Sequence, residues 1–320
     1  MLGAKMNRYI SVMQRGLILI FIMLLSACSP YKQSTQTMTT EQLAKLHPHY
    51  VATDKGRIEY YRFGQGSPIV LIPGYATDIS SWDREFLATL AQHHQVIVLN
   101  NRNVGGSFSQ SKHYDSQDLA KDTHQLITKL KLTKPAVLGI SMGGMIAQQL
   151  AVMYPNQLGQ LILINTAIAG KKAVHPSEKV EKELLDMPQN KLGRYMVAMK
   201  LFFPDTWKTR MAVALAVDRF QPENYLEINP KITMVEQRRL VVHWLDNEKA
   251  AKQISHLQLP VLILNGEADV VIPPVNSVIL ARSIPNAKLQ RWKEGGHAMI
   301  YQYPKQIANS VSDFIANNEA

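Results

Sequence analysis

The chain of 320 residues holds one cysteine, Cys28, so no disulfide forms within it. A single thiol also rules out a CxxC metal or redox pair. No HExxH pair of zinc ligands occurs, and the Gly-rich stretch GISMGGM (139–145) lacks the Gly-Lys-Ser/Thr ending of a phosphate loop. Cofactor and metal are therefore expected to be absent. Charged residues make up only 19% against 46% hydrophobic, which excludes a disordered chain and supplies enough apolar surface for one large core. Lys and Arg form no block longer than two, so the formal net charge of +10 reads as a solvated basic surface, with no nucleic acid as partner. No internal repeat is present.

Long apolar runs are missing as well. The longest, GLILIFIMLLS from Gly16 to Ser26, falls short of the roughly 20 residues that a membrane-spanning helix needs. Lys5, Arg8 and Arg15 precede it and Leu25-Ser26-Ala27-Cys28 closes it, the layout of an export signal. LSAC resembles the lipobox of bacterial lipoproteins. That resemblance implies that Cys28 becomes the lipidated first residue of the mature chain. Ser29, standing where Asp would favour the inner membrane, implies the outer membrane of a bacterial cell envelope. The expected organisation is a signal peptide over 1–27, a lipidated N-terminus and flexible tether rich in Ser, Thr and Gln over 28–49, and one folded domain over 50–320.

From about residue 50, short apolar runs alternate with amphipathic stretches. RIEYYRFG (57–64) and SPIVLIPG (67–74) read as neighbouring strands ending at glycine. A helix is expected over about 80–92, with Ser80 or Ser81 as N-cap, then a strand at QVIVLN (95–100), a helix over 118–132 and a strand at AVLGI (136–140). A helix over 142–155 and a strand at QLILIN (160–165) continue the rhythm, which implies a mostly parallel sheet flanked by helices. Between about 168 and 256 the pattern turns helical throughout and reads as an inserted cap. The sheet resumes with LPVLILNGEAD (259–269) and NAKLQRWKEGGH (286–297), before a last helix over about 304–317.

GISMGG (139–144) now acquires a mechanical meaning. A strand that runs through Gly139 and Ser141 directly into a helix must turn so sharply that its neighbours are glycines, and the turn lifts the serine hydroxyl above the sheet edge. The Met142 N–H, at the helix start, is then free to donate to an oxyanion. Serine alone is a weak nucleophile; it needs a histidine to take its proton and an acid to hold the histidine tautomer. Asp269 and His297 follow later strands and would lie on loops at the same carboxyl edge.

With GISMGG, GEADVVIP (266–273) and GGHAMIYQYP (295–304) in this order, the chain from about residue 50 to 318 resembles the α/β-hydrolase superfamily. The resemblance implies an α/β-hydrolase fold with an inserted helical cap and a Ser141–His297–Asp269 triad. In this family a His-Gly dipeptide usually precedes the second oxyanion donor. Here the dipeptide is Pro73-Gly74, which points to the Tyr75 N–H. NNRNVGGS (100–107) resembles the family's supporting Asp-x-Arg-Gly-x-Gly-x-Ser loop, with Asn100 for the acid and Asn103 for the first glycine.

Bland readings compete at each position. Ser141 can be an ordinary turn residue, His297 has rivals such as His93, His94, His124, His175 and His243, and Asp269 has Glu267 two residues away; the preceding strand ends in Asn165 rather than an acid. Trp82 reads as core. Met196, Met199, Phe202, Phe203 and Trp207 fit either an acyl pocket or the packing of the cap itself. The expected function is a lipid-anchored serine hydrolase acting on a small-molecule ester or related acyl substrate. The alternatives are lactone, amide or carbon–carbon bond hydrolysis by the same triad, or an envelope lipoprotein that only binds.

Overall fold

The computed structural model describes residues 38–318, apart from 187, 189, 209, 210, 213, 215–217 and 226. The expected signal peptide and Cys28 lie outside the described residues. Among those described, no helix is long and apolar enough to cross a membrane.

One mixed sheet organises the chain. Its strands are β1 (His49–Thr53), β2 (Gly56–Phe63), β3 (Ser67–Ile72), β4 (His94–Leu99), the short β5 (Phe108–Ser109), β6 (Ala136–Ile140), β7 (Leu161–Ile164), β8 (Val261–Gly266) and β9 (Lys288–Trp292). They lie in the order β1-β2-β4-β3-β6-β7-β8-β9, with β5 paired to β2. From β4 to β9 all pairings are parallel, while β1, β2 and β5 are antiparallel. β7 and β8 are buried along their whole length, as befits parallel strands covered on both faces. β9, at the edge, carries exposed Lys288 and Arg291.

The expectation that residues 57–64 and 67–74 form neighbouring strands fails, because β4 lies between them. The connection between β2 and β3 passes against the start of β4 through Gly64 and Gly66, at φ 73° and 111°. A Cβ on either would lie 2.3 or 2.2 Å from the carbonyl oxygen of His94 or His93. Glycine there permits a crossing rather than a hairpin.

Alternation along the strands divides two apolar layers. Val70, Ile72, Val137, Leu161 and Leu163 face one side, where helices α3 (Ser116–Lys129) and α4 (Met142–Met153) supply Leu126, Ile146 and Leu150. Ile69, Leu71, Leu138, Ile162 and Leu264 face the other, covered by Phe86 of α2 (Arg84–Leu90) and Phe314 of α11 (Pro304–Ala316). Capping corrects the expected boundaries. Asp83, not Ser80 or Ser81, caps α2 by accepting the Phe86 N–H at 2.8 Å, and Ser80 and Ser81 belong to a preceding 3-10 turn capped by Asp78. Asp115 starts α3 two residues earlier than expected, through a capping box with Asp118.

The end of the expected tether over 28–49 is folded. Helix α1 (Thr40–Ala44) has a Thr39–Gln42 capping box, buries Leu43 completely, and receives a 2.7 Å bond from the Glu223 N–H at the Ala44 carbonyl. Two leucines in an otherwise polar stretch had hidden this docking. The cap is also shorter than 168–256. Helices α5 (Glu178–Leu185) and α6 (Lys191–Leu201) belong to the insertion. By contrast, the second half of α7 (Lys231–Leu245) and α8 (Glu248–Ile254) send Leu240, Trp244, Ala250 and Ile254 into the layer over α4. α9 (Val275–Ser283) and α10 (Met299–Gln302) complete the elements.

Candidate active site

Ser141 stands between β6 and α4 at φ 55°, ψ −123°, a conformation that L-residues avoid and that costs of order 1–3 kcal/mol. The surrounding glycines show why the chain tolerates it. A Cβ on Gly139 would lie 2.2 Å from the Gly143 carbonyl oxygen, and one on Gly143 would lie 2.1 Å from that of Ile72. The serine backbone is clamped on both sides: its N–H donates to the Ile164 carbonyl at 3.0 Å, and its carbonyl accepts the Thr166 hydroxyl at 2.7 Å. The strained backbone is thus held by Ile164 of β7 and by Thr166 just beyond it.

The Met142 N–H begins α4, and no acceptor among the described residues takes it; the same holds for the Tyr75 N–H. The two loops touch, since a Cβ on Gly74 would meet that of Ser141 at 3.3 Å. Both amides expected to bind an oxyanion are thus unpaired donors flanking one serine.

Asp269 and His297 come together as expected. His297 Nδ1 lies 2.8 Å from Asp269 Oδ2, with both residues buried. The other carboxylate oxygen accepts the N–H groups of Val271 and Ile272 at 2.8 and 2.9 Å, which fixes the carboxylate plane. An acceptor at Nδ1 selects the tautomer with its proton there and leaves Nε2 able to accept a proton. Among the described residues, no hydrogen bond joins the Ser141 hydroxyl to His297 in this structure. Three of the rival residues are engaged elsewhere. Glu267 pairs with Arg291 at 2.6 Å, His94 sits between Ser67 and Ser312, and His124 stacks flat on Tyr154 at 3.8 Å.

Asn165, which in the sequence stands only where an acid is missing, has a larger part in the structure. Fully buried at the end of β7 with φ 45°, it donates from Nδ2 to the carbonyls of Gly296 and His297, both at 2.9 Å, and accepts the Gly266 N–H at 2.9 Å. One amide side chain therefore ties the histidine loop to the acid loop, and its neighbours Ile164 and Thr166 hold Ser141. The signal was available: an Asn directly after four apolar strand residues has little reason to be buried unless both ends of its amide are used.

In the supporting loop, Asn103 takes the glycine-like φ of 58° that asparagine tolerates. Asn100 accepts the Ile79 N–H, and Arg102 and Asp122 form a buried pair. Trp82 is fully buried and stacked on Phe86, as core. Of the five apolar cap residues, Met199 and Phe203 pack into the layer with Phe86, and Met196 is 60% exposed. Phe202 lies with its ring 5.3 Å from that of His297, and its carbonyl accepts the Ala298 N–H. Trp207, partly buried, directs its indole N–H to Glu294.

The sequence profile of the alpha/beta hydrolase fold family matches residues 67–304. BpoC of Mycobacterium tuberculosis, a protein named for non-heme bromoperoxidase activity, is 25% identical over 263 residues, 80% of this chain and 97% of that one. An alpha/beta hydrolase fold protein from Chitinophaga pinensis superimposes with a TM-score of 0.74 at 20% identity, covering 85% of this chain and 98% of that chain. A membrane phospholipase A described as a bacterial virulence factor superimposes at 0.68 and 20% identity, over 95% of this chain and 98% of its own.

Proposed function

Because the chain belongs to the α/β-hydrolase family and is thereby a hydrolase, we propose that it cleaves carboxylic esters through an acyl-enzyme on Ser141. The observation that carries this reading is the strained Ser141 turn flanked by two unpaired N–H groups, at the same sheet edge as the buried His297–Asp269 pair.

In this reading the Ser141 hydroxyl attacks the acyl carbon while His297 Nε2 takes its proton. The tetrahedral oxyanion is held by the N–H groups of Met142 and Tyr75, and Asp269 stabilises the imidazolium. His297 then protonates the departing alkoxide, and water releases the acid by the reverse route. Phe202 beside His297 gives the acyl chain an apolar wall. Cys28 is the proposed lipid attachment point and the outer membrane of a bacterial envelope the proposed location. The membrane phospholipase A is similar to this chain over nearly its whole length, which fits an enzyme working beside lipid.

The test is hydrolysis of p-nitrophenyl esters from acetate to palmitate by the protein and by Ser141→Ala. Activity abolished in the variant supports the reading, and the preferred chain length reports the acyl pocket. Equal rates in the two proteins would sink it, while inactivity toward every ester would move the same triad to lactone, amide or carbon–carbon substrates. Loss of the protein from the membrane fraction in Cys28→Ser is the expected result for the anchor; unchanged retention would remove it.

A further inference from the structure

The loop that carries Tyr75 is held by a residue 161 positions further on, in α7. Gln237 is fully buried, and its Oε1 accepts the Ala76 N–H at 2.8 Å. The assignment of oxygen to that side follows from the partner, since a backbone N–H requires an acceptor. Its Nε2 is also buried and has no partner among the described residues. A buried amide that leaves its NH2 unpaired costs stability, so packing alone does not account for it.

The geometry explains what the bond does. Ala76 sits at φ 54°, in the left-handed region, without being glycine. The Gly74–Tyr75 peptide is held at its carbonyl end by the Thr77 hydroxyl at 3.0 Å, and a trans peptide then sends the Tyr75 N–H the opposite way. The next peptide, Tyr75–Ala76, is held at its N–H end by Gln237. Two successive planes are fixed, the first from within the loop by Thr77 and the second from α7 by Gln237, and the Tyr75 N–H of the first plane is left without an acceptor among the described residues. Were the Ala76 N–H released, the left-handed turn would have less to hold it and the Tyr75 donor would lose its aim.

We infer that Gln237 is a positioning residue for the oxyanion-binding loop, acting through Ala76 on the Tyr75 N–H. This rests on the proposed role of Ser141 and Tyr75. Since α7 follows the inserted helices, the bond also ties the donor to the segment that closes the insertion.

The experiment compares the full chain with Gln237→Met, which keeps the length and loses the acceptor, and with Gln237→Glu, which keeps an acceptor. The readouts are ester kcat and KM, inhibition by a trifluoromethyl ketone whose serine adduct carries an oxyanion, and the rate at which a fluorophosphonate labels Ser141. Gln237→Met is expected to lower kcat about 10–100-fold with KM within about threefold, and to weaken the ketone and slow labelling in proportion. Gln237→Glu should recover kcat to within a few-fold of the parent. If Gln237→Met does not fold, Gln237→Asn, too short to reach Ala76, takes its place with the same expectation.

A kcat within twofold of the parent in Gln237→Met, or an equal loss in both variants, overturns the inference. Failure of the parent itself to react with the fluorophosphonate instead overturns the role of Ser141 on which it rests.

Discussion

The carboxyl ends of β6, β7 and β8 and the helices inserted between β7 and β8 are built on different terms. At the strand ends, Ser141, Asn165, Asp269 and His297 share a network in which backbone and side-chain bonds run from one loop to the next. In the insertion and the helix that closes it, Leu192 is 72% exposed, Met196 60%, Ile232 54% and Val235 51%. A group moved there meets solvent, whereas a group moved at the strand ends breaks a bond to a neighbouring loop of the candidate site. The proposed reacting atoms sit where displacement is costly, and the insertion offers side chains that can be exchanged while the sheet stays intact.

The largest effect that follows is at Ser141. Its replacement by alanine should lower kcat by roughly 10⁴-fold or more while Tm stays near the parent value, measured with the best p-nitrophenyl ester and by calorimetry. Asp269→Asn comes next. Asparagine can still accept the Val271 and Ile272 N–H groups, but its NH2 would face His297 Nδ1 and select the wrong tautomer. A loss on the order of 10³–10⁴-fold in kcat with little change in KM is expected, and a loss below tenfold would break the assignment.

Gly143→Ala would push a methyl to 2.1 Å from the Ile72 carbonyl oxygen. It should cost about 3 kcal/mol or more, seen as a lowered denaturation midpoint or as insoluble protein. Met196→Ala, in the insertion, should change stability by less than about 0.5 kcal/mol. If the two substitutions cost the same, the contrast between strand ends and insertion is false.

Much of this contrast was legible in the sequence. Strand β6 was found to the residue, because AVLGI is bounded by Pro135 and by the serine turn. Ser141 and Asp269 could be placed because each follows an apolar run, and His297 because Gly295-Gly296 and the last strand precede it. What the sequence hid is non-local. The insertion of β4 between β2 and β3 depends on two glycines passing over the carbonyls of His93 and His94, and no periodicity records that crossing. Leu43 looks like one of two leucines in a polar tail until its burial is seen. Asn165 and Gln237 matter through what the far ends of their amides touch, across 131 and 161 residues of sequence.

A smaller effect comes from a buried carboxyl in the body of the protein. Burial pushes the Asp83 carboxyl up to about 7 from the ordinary 3.8, with the nearby Asp218 and Glu85 charges adding to it and the Phe86 N–H opposing. The folded protein therefore keeps a proton that the unfolded chain releases between about pH 4 and 7, and stability from this group falls as pH rises through that window. Asp83→Asn retains a cap acceptor without the charge. It should shrink the stability difference between pH 5 and pH 8 by roughly 1–3 kcal/mol, read from urea unfolding at the two pH values. An unchanged difference would contradict the burial argument.

A serine acyl-enzyme is a covalent intermediate that can be trapped and weighed. Mass spectrometry of the protein quenched in acid during turnover of a slowly deacylating p-nitrophenyl ester should find the acyl mass added to the peptide that contains Ser141, and find none in Ser141→Ala. An acyl group on any other residue, or steady hydrolysis with no adduct on Ser141, would contradict a serine acyl-enzyme.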